Sequence, residues 1–378
     1  MIKKLDFMKL NLLKERKKSD STQSKKKHFK LIALLFFLSA LFFVGAQLIP
    51  LQTGRPLLKQ MITSSRIMAR AIAAIRNCQR SQGLRLNKEQ DPNLTGLIGQ
   101  RMSSITTSLG SLEAKRTTTN PNFAALMVFL LKKAGVMKGD TIAVGASSSF
   151  PALIVAVLSA AKTMELHPLL ISSLGASQWG ANCPHFHWLK IEDCLLSQGI
   201  FQVKPIAVSL GGEGDCGQDM DPAGRLFLLK EIKKRGYFFL SEPDLRKNVS
   251  LRMALYKREA GQSKIKAFIN IGGSWANLGL DPSVLKLKPG LIREVSLPPT
   301  KKRGVVFEMV AARIPVIHLL FIKGLSQRYG LPWDPVPLPS PGEGRIYQMV
   351  KERQPVFLWL ACLYLISILV VFSFKKYI

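Results

Sequence analysis

The chain of 378 residues carries 54 Lys/Arg against 24 Asp/Glu, a formal net charge of +30. Two long uncharged apolar runs exclude a single aqueous environment for all of it. It has no G-x-x-x-x-G-K-[ST] loop and no G-x-G-x-x-G opening a helix after a strand, which excludes the usual ATP- and dinucleotide-binding chemistries.

Residues 1–30 hold eleven Lys/Arg and three Asp/Glu and read as a basic, unfolded cytoplasmic tail. Residues 31–49 form a 19-residue run without charge, and 356–374 form a second. Each is expected to be a transmembrane helix, because a bilayer core of about 30 Å takes about 20 apolar residues. The basic tail, with Lys375 and Lys376 at the other end, places both termini in the cytoplasm under the positive-inside rule. The expected location is the cell membrane, with two spans and the main domain extracytoplasmic. A cleaved signal peptide is the alternative for the first run, since Val44-Gly45-Ala46 resembles a cleavage site.

Residues 55–80 are expected to form a helix with Leu58, Ile62, Met68, Ile72 and Ile75 on one face and arginines beside it. It either packs in the domain or lies on lipid headgroups. Residues 81–119 read as polar loop with room for one short helix. Asn120-Pro121 starts a helix that ends at Gly135. Strands are then expected at Thr141–Val144, Pro168–Ser172, Ile206–Leu210, Tyr237–Leu240 and Lys266–Ile271. Between them fall helices at Pro151–Met164, Arg225–Arg235 and Asp244–Glu259, and a last helix over Val305–Arg328 is expected to kink at Pro315. This alternation predicts a layered α/β domain over residues 55–330 with a mostly parallel sheet, Rossmann-like. Five prolines within Leu331–Pro341 predict an extended tether over 331–355, and 375–378 form a short cytoplasmic tail.

Four glycine- and serine-rich loops follow the expected strands: Gly145–Pro151, Ser172–Ser177, Gly211–Asp215 and Gly272–Ala276. In an open parallel sheet they can meet at one edge, where small residues let backbone N–H groups approach an anion. The candidate ligand-binding residues are Ser147, Ser148, Ser149, Ser172, Ser173, Ser177, Asn182, Gly211, Gly212, Asp215, Asn270, Gly272 and Gly273. The alternative is that these residues only make tight turns. Gly145-Ala146-Ser147-Ser148-Ser149 half-resembles a nucleophile elbow, which makes Ser147 and Ser149 catalytic candidates. A triad would draw its base from His167, His185, His187 or His318 and its acid from Asp215 or Asp219.

Cys78, Cys183, Cys194 and Cys216 allow three disulfide pairings, and sequence does not choose among them. The cluster Cys183-Pro184-His185-Phe186-His187 with Cys194 fits no standard zinc spacing, so no metal and no cofactor are expected. Residues 51–355 carry 41 Lys/Arg and 21 Asp/Glu, a net of +20. Such a field attracts acidic polymers and anionic lipid surfaces, unless the charge is only a solvated face. An extracytoplasmic domain has no nucleic-acid partner.

At these loops the chain resembles the poly-gamma-glutamate system protein family. The resemblance rests on Ser149-Phe150-Pro151-Ala152-Leu153, on the twelve residues Ile171 to Asn182, on Leu210-Gly211-Gly212 with Asp215, and on Asn270-Ile271-Gly272-Gly273. It covers roughly residues 55–330. Ile154 and Cys183 depart from the family pattern, where an Asn and an acid are expected. The resemblance implies an accessory protein of poly-gamma-glutamate synthesis or export, binding the polymer or the synthase subunits. A hydrolase or transferase acting on the polymer through a loop serine is the alternative.

Overall fold

The computed structural model describes residues 29–45, 55–350 and 355–373. They fall into two compact units, Arg55–Val350 and the two chain ends.

In the smaller unit, α1 (residues 29–45) and α12 (Pro355–Ser373) meet through a hydrogen bond of 2.7 Å between Ser39 Oγ and Tyr364 Oη. The Phe42 and Tyr364 rings lie 5.2 Å apart. Two transmembrane helices were expected here, and that expectation is corrected. Among the described residues no helix is long and apolar enough to cross a membrane. At 1.5 Å per residue the described part of the first run, α1, is about 26 Å long, against a bilayer core of about 30 Å. The two-span location, with an extracytoplasmic domain and cytoplasmic ends, falls with it. Residues 1–28, 46–54, 351–354 and 374–378, and with them most of the basic tail and the whole of the short one, lie outside the described residues.

The larger unit is an α/β domain around a six-stranded sheet of order β3-β2-β1-β4-β6-β5. The strands are β1 (Thr141–Ser147), β2 (His167–Ser173), β3 (Ala207–Ser209), β4 (Ile265–Ile271), β5 (Gly290–Ile292) and β6 (Val316–Leu319). All neighbours are parallel except β5 and β6. Strand residues alternate between two cores, as a period of two requires. Ile142, Val144 and Ala146 of β1 and Ile269 and Ile271 of β4 join the larger core, while Ala143 and Phe268 join the other.

The larger core is closed by α2 (Arg55–Ser81), α4 (Asn122–Ala134) and α5 (Pro151–Met164). Helix α5 is buried almost all round, which explains its unbroken apolar sequence. The predicted starts and stops of these helices are close to those observed. Gly135 ends α4 in the left-handed region, φ 89°. The opposite core is covered by α8 (Leu245–Ala260) and α10 (Val305–Ala311).

Two expected elements differ. Tyr237–Leu240 is not a strand; it makes one bridge, Phe239 to Val208. The single helix over Val305–Arg328 is α10, then β6, then α11 (Ile322–Tyr329). Pro315 lacks the N–H a helix needs, and the β-branched pair Val316-Ile317 continues into the sheet beside Phe268–Ile271.

Residues 331–350 belong to the larger unit rather than standing off as a tether. The Arg116 guanidinium forms a bidentate pair with Asp334, and Asn122 Nδ2 donates to Ser340 O and Glu343 O. Tyr347 Oη donates to Asn122 Oδ1 at 2.6 Å inside the core. A Cys78–Cys194 disulfide, Cα–Cα 6.2 Å, joins α2 to α6 (Trp188–Ser197). Among the described residues Cys183, Cys216 and Cys362 are free.

Candidate functional site

The strand order reverses between β1 and β4, which leaves a crevice outside the carboxyl ends of the strands. A cleft of about 530 Å³ opens there. Its floor comes from every one of the four glycine- and serine-rich loops: Ser147 and Ser149 after β1, Ser173, Gly175 and Ser177 after β2, Gly211 and Gly212 after β3, and Gly273 and Ser274 after β4. The outer wall is supplied by Thr107–Ser111 and Lys115 of α3 (Leu112–Thr118), by Phe321 and Lys323 beyond β6, and by Trp275 and Trp333.

Gly211 and Gly212 take φ of 75° and 69°, a region that L side chains rarely adopt. At Gly212 a Cβ would also lie 2.1 Å from Asp219 Oδ1, an atom that accepts the Glu213 N–H at 2.9 Å. The turn after β3 therefore needs glycine both for its dihedrals and for the close approach of Asp219.

The remaining expected site residues support the floor without lining it. The Asp215 carboxylate is buried beneath the loops. It accepts from Ser209 Oγ at 2.8 Å, Ser173 Oγ at 3.2 Å, Asn248 Nδ2 at 3.1 Å and Arg252 Nη2 at 2.5 Å. Asn182 binds Gln100 N, Gln100 O and Thr106 Oγ1, and so fixes the segment leading to the wall. Asn270 Nδ2 donates to Gly272 O and to His318 Nδ1. Burial pushes the His318 imidazole down to about 4, so the neutral ring is free to accept. Ser148 and Ser172 are fully buried, and their hydroxyls have no partner.

The expected serine triad is not assembled. Ser147 Oγ accepts from Ser149 N at 3.2 Å, and Ser149 Oγ accepts from Ser177 N at 2.9 Å. Among the described residues no histidine lines the cleft. His187 instead lies 3.3 Å from Glu231, and its burial pushes it down to about 4.

The group that sequence reading missed is Lys115. Its residue is 3% exposed, yet it is part of the cleft lining. The amine donates to Ser149 O and to Ser177 Oγ, the latter at 2.8 Å, and sits 3.6 Å above the Phe150 ring centre. Burial pushes it down to about 7, well below an ordinary lysine. Two features hold this geometry. Gly110 lets the chain pass close to Ser177 Oγ and Lys115 Cε, and Ser111 caps α3 through the Ala114 N–H. Nothing in the stretch Glu113-Ala114-Lys115-Arg116 marks one of two adjacent cations as buried. Arg116 instead pairs with Asp334.

The cleft thus offers hydroxyls, two amines, one carboxylate at Asp219 and aromatic walls. Ser274 Oγ is a buried hydroxyl of the floor without a partner. Among the described residues no three His, Cys, Asp or Glu side chains gather to hold a metal ion. No family model, curated protein or solved structure matches the chain.

Proposed function

We propose that the domain is a binding component of a poly-gamma-glutamate system and that its cleft takes a short segment of the γ-linked polymer or a chemically similar polyamide acid. The observation that supports this most is the convergence of all four glycine- and serine-rich loops on one cleft bearing Lys115 and Lys323. Such a segment presents carboxylates, secondary amides and a methylene backbone. The amines and the hydroxyls of Ser147, Ser173 and Ser274 meet the first two, and Trp275, Phe321 and Trp333 meet the third. The excess of 30 positive charges over the whole chain supplies long-range attraction.

The test is a titration of the full chain with oligomers of γ-linked glutamate, followed by calorimetry and by the fluorescence of Trp275 and Trp333. Binding is expected at low salt and should weaken as salt screens the field. Replacing the exposed Lys323 with Ala should lower affinity about 2- to 5-fold, the worth of a partly screened ion pair of roughly 0.5–1 kcal/mol. An absence of binding at low salt would overturn the reading.

A further inference from the structure

A buried lysine is ordinarily paired with a carboxylate, because an isolated ammonium is costly to desolvate. Lys115 is not. Among the described residues it makes no ion pair. Its polar partners are a carbonyl, Ser149 O, and a hydroxyl, Ser177 Oγ. Ser177 lines the cleft and is held rigidly. Its N–H donates to Ser149 Oγ, its carbonyl accepts from Gly180 N, and Ala176 before it is bridged to Thr106. An amine that burial drives toward neutrality, fixed 2.8 Å from a cleft-lining hydroxyl, is the arrangement of a base beside a nucleophile.

We propose that Lys115 and Ser177 form a serine–lysine pair that performs acyl transfer on an amide bond held in the cleft. Neutral Lys115 Nζ takes the proton of Ser177 Oγ as that oxygen bonds to the amide carbonyl carbon. The tetrahedral oxyanion is met by donors of the cleft, of which the unpartnered Ser274 hydroxyl is one. Lys115 then gives its proton to the amide nitrogen, the carbon–nitrogen bond breaks, and an amine leaves an acyl ester on Ser177. Water, losing a proton to Lys115, attacks the ester carbonyl. The ester bond breaks, and Ser177 Oγ regains its proton from Lys115. The balance is amide plus water to carboxylic acid plus amine. An incoming amine in place of water completes a transfer instead. Burial, which brings Lys115 to about 7, leaves a usable fraction neutral at physiological pH. This chemistry places the nucleophile at Ser177 rather than at Ser147 or Ser149. Its assignment to a γ-glutamyl amide rests on the proposed function, whereas the pair itself does not.

The experiment treats the full chain with an alkyl fluorophosphonate and identifies the modified residue by peptide mass spectrometry. The expected result is a label on Ser177 whose rate rises roughly 10-fold from pH 6 to pH 8. Lys115→Met should lower that rate at least 100-fold, as loss of a general base does. Lys115→Arg, which keeps the charge but cannot accept the proton, should not restore it. Where either variant does not fold, the site of labelling and the pH profile of the native chain decide. No label on Ser177, or a rate flat across that interval, overturns the pair. Binding of γ-glutamate oligomers without a label at Ser177 leaves the proposed function standing and removes the chemistry. A label at Ser177 without oligomer binding upholds the pair and removes the polymer as its substrate.

Discussion

The buried ion pair beneath the cleft makes the sharpest prediction about stability. Asp215 and Arg252 are both buried, and the carboxylate also accepts from Ser173, Ser209 and Asn248. Asp215 itself sits at φ 63°, a conformation that Asn tolerates and Ala does not. Asp215→Asn therefore removes the charge while keeping shape and backbone. It leaves the Arg252 guanidinium desolvated without a counter-ion, at a cost of about 3–5 kcal/mol. For a unit of this size that is a fall in melting temperature of roughly 10 °C. Thermal and urea unfolding followed by circular dichroism measure it. Combining Asp215→Asn with Arg252→Met removes both charges, and should lose less than the sum of the single changes by at least ~1 kcal/mol. A single-variant loss below ~1 kcal/mol, or strict additivity, would refute the view that this pair is what fixes the floor.

Two further outcomes follow from the same geometry. Gly212→Ala forces a Cβ onto Asp219 Oδ1 at a left-handed φ and should cost about 1–3 kcal/mol, with weaker binding of γ-glutamate oligomers because the floor must shift. Glu192 of α6 is pushed up to about 7 by burial, against Tyr237, which donates to it, and Arg235 and Lys204 nearby. Its folded value stands above its unfolded one, so its contribution is full below about 4.5 and is lost as pH rises toward 7. Glu192→Gln should remove about 2 kcal/mol of that decline, read as the difference between wild-type and variant unfolding curves at pH 5 and pH 7.5. The subtraction also cancels His187, which titrates in the opposite sense from about 4 upward.

The sheet was largely legible because parallel strands buried on both faces must be short apolar runs, and β1, β2 and β4 are such runs. The convergence of their loops follows from that topology alone. What escaped depended on partners remote in sequence. Val316–Leu319 reads as part of a helix until β4 is beside it. Tyr237–Leu240 has strand composition but only Val208 to pair with. Among the described residues the terminal apolar runs give no helix long and apolar enough to cross a membrane. In the site, glycine and serine are visible by type, yet type does not separate floor from foundation. Asp215 and Asn270 look as much like ligand residues as Ser173 does, and Lys115 looks like any surface cation until α3 is folded against Phe150 and Ser177.

Lys115 also constrains how a ligand can sit. An anion placed against its Nζ would favour the ammonium and raise its pKa, which removes the base. A neutral amide carbonyl placed there would not. Binding of carboxylates and proton transfer therefore ask opposite things of one amine, and both can hold only if they occur at different points of the cleft. The two amines differ in position: Lys115 is buried against Ser177 and Phe150, whereas Lys323 is exposed beyond β6. A polyamide acid fits this division when its carboxylates reach Lys323 and the outer wall while one backbone amide descends to Ser177. The same division explains why a cleft in so basic a chain keeps its one buried amine free of any carboxylate. An acidic neighbour would have neutralised its charge, but would also have fixed it as an ammonium.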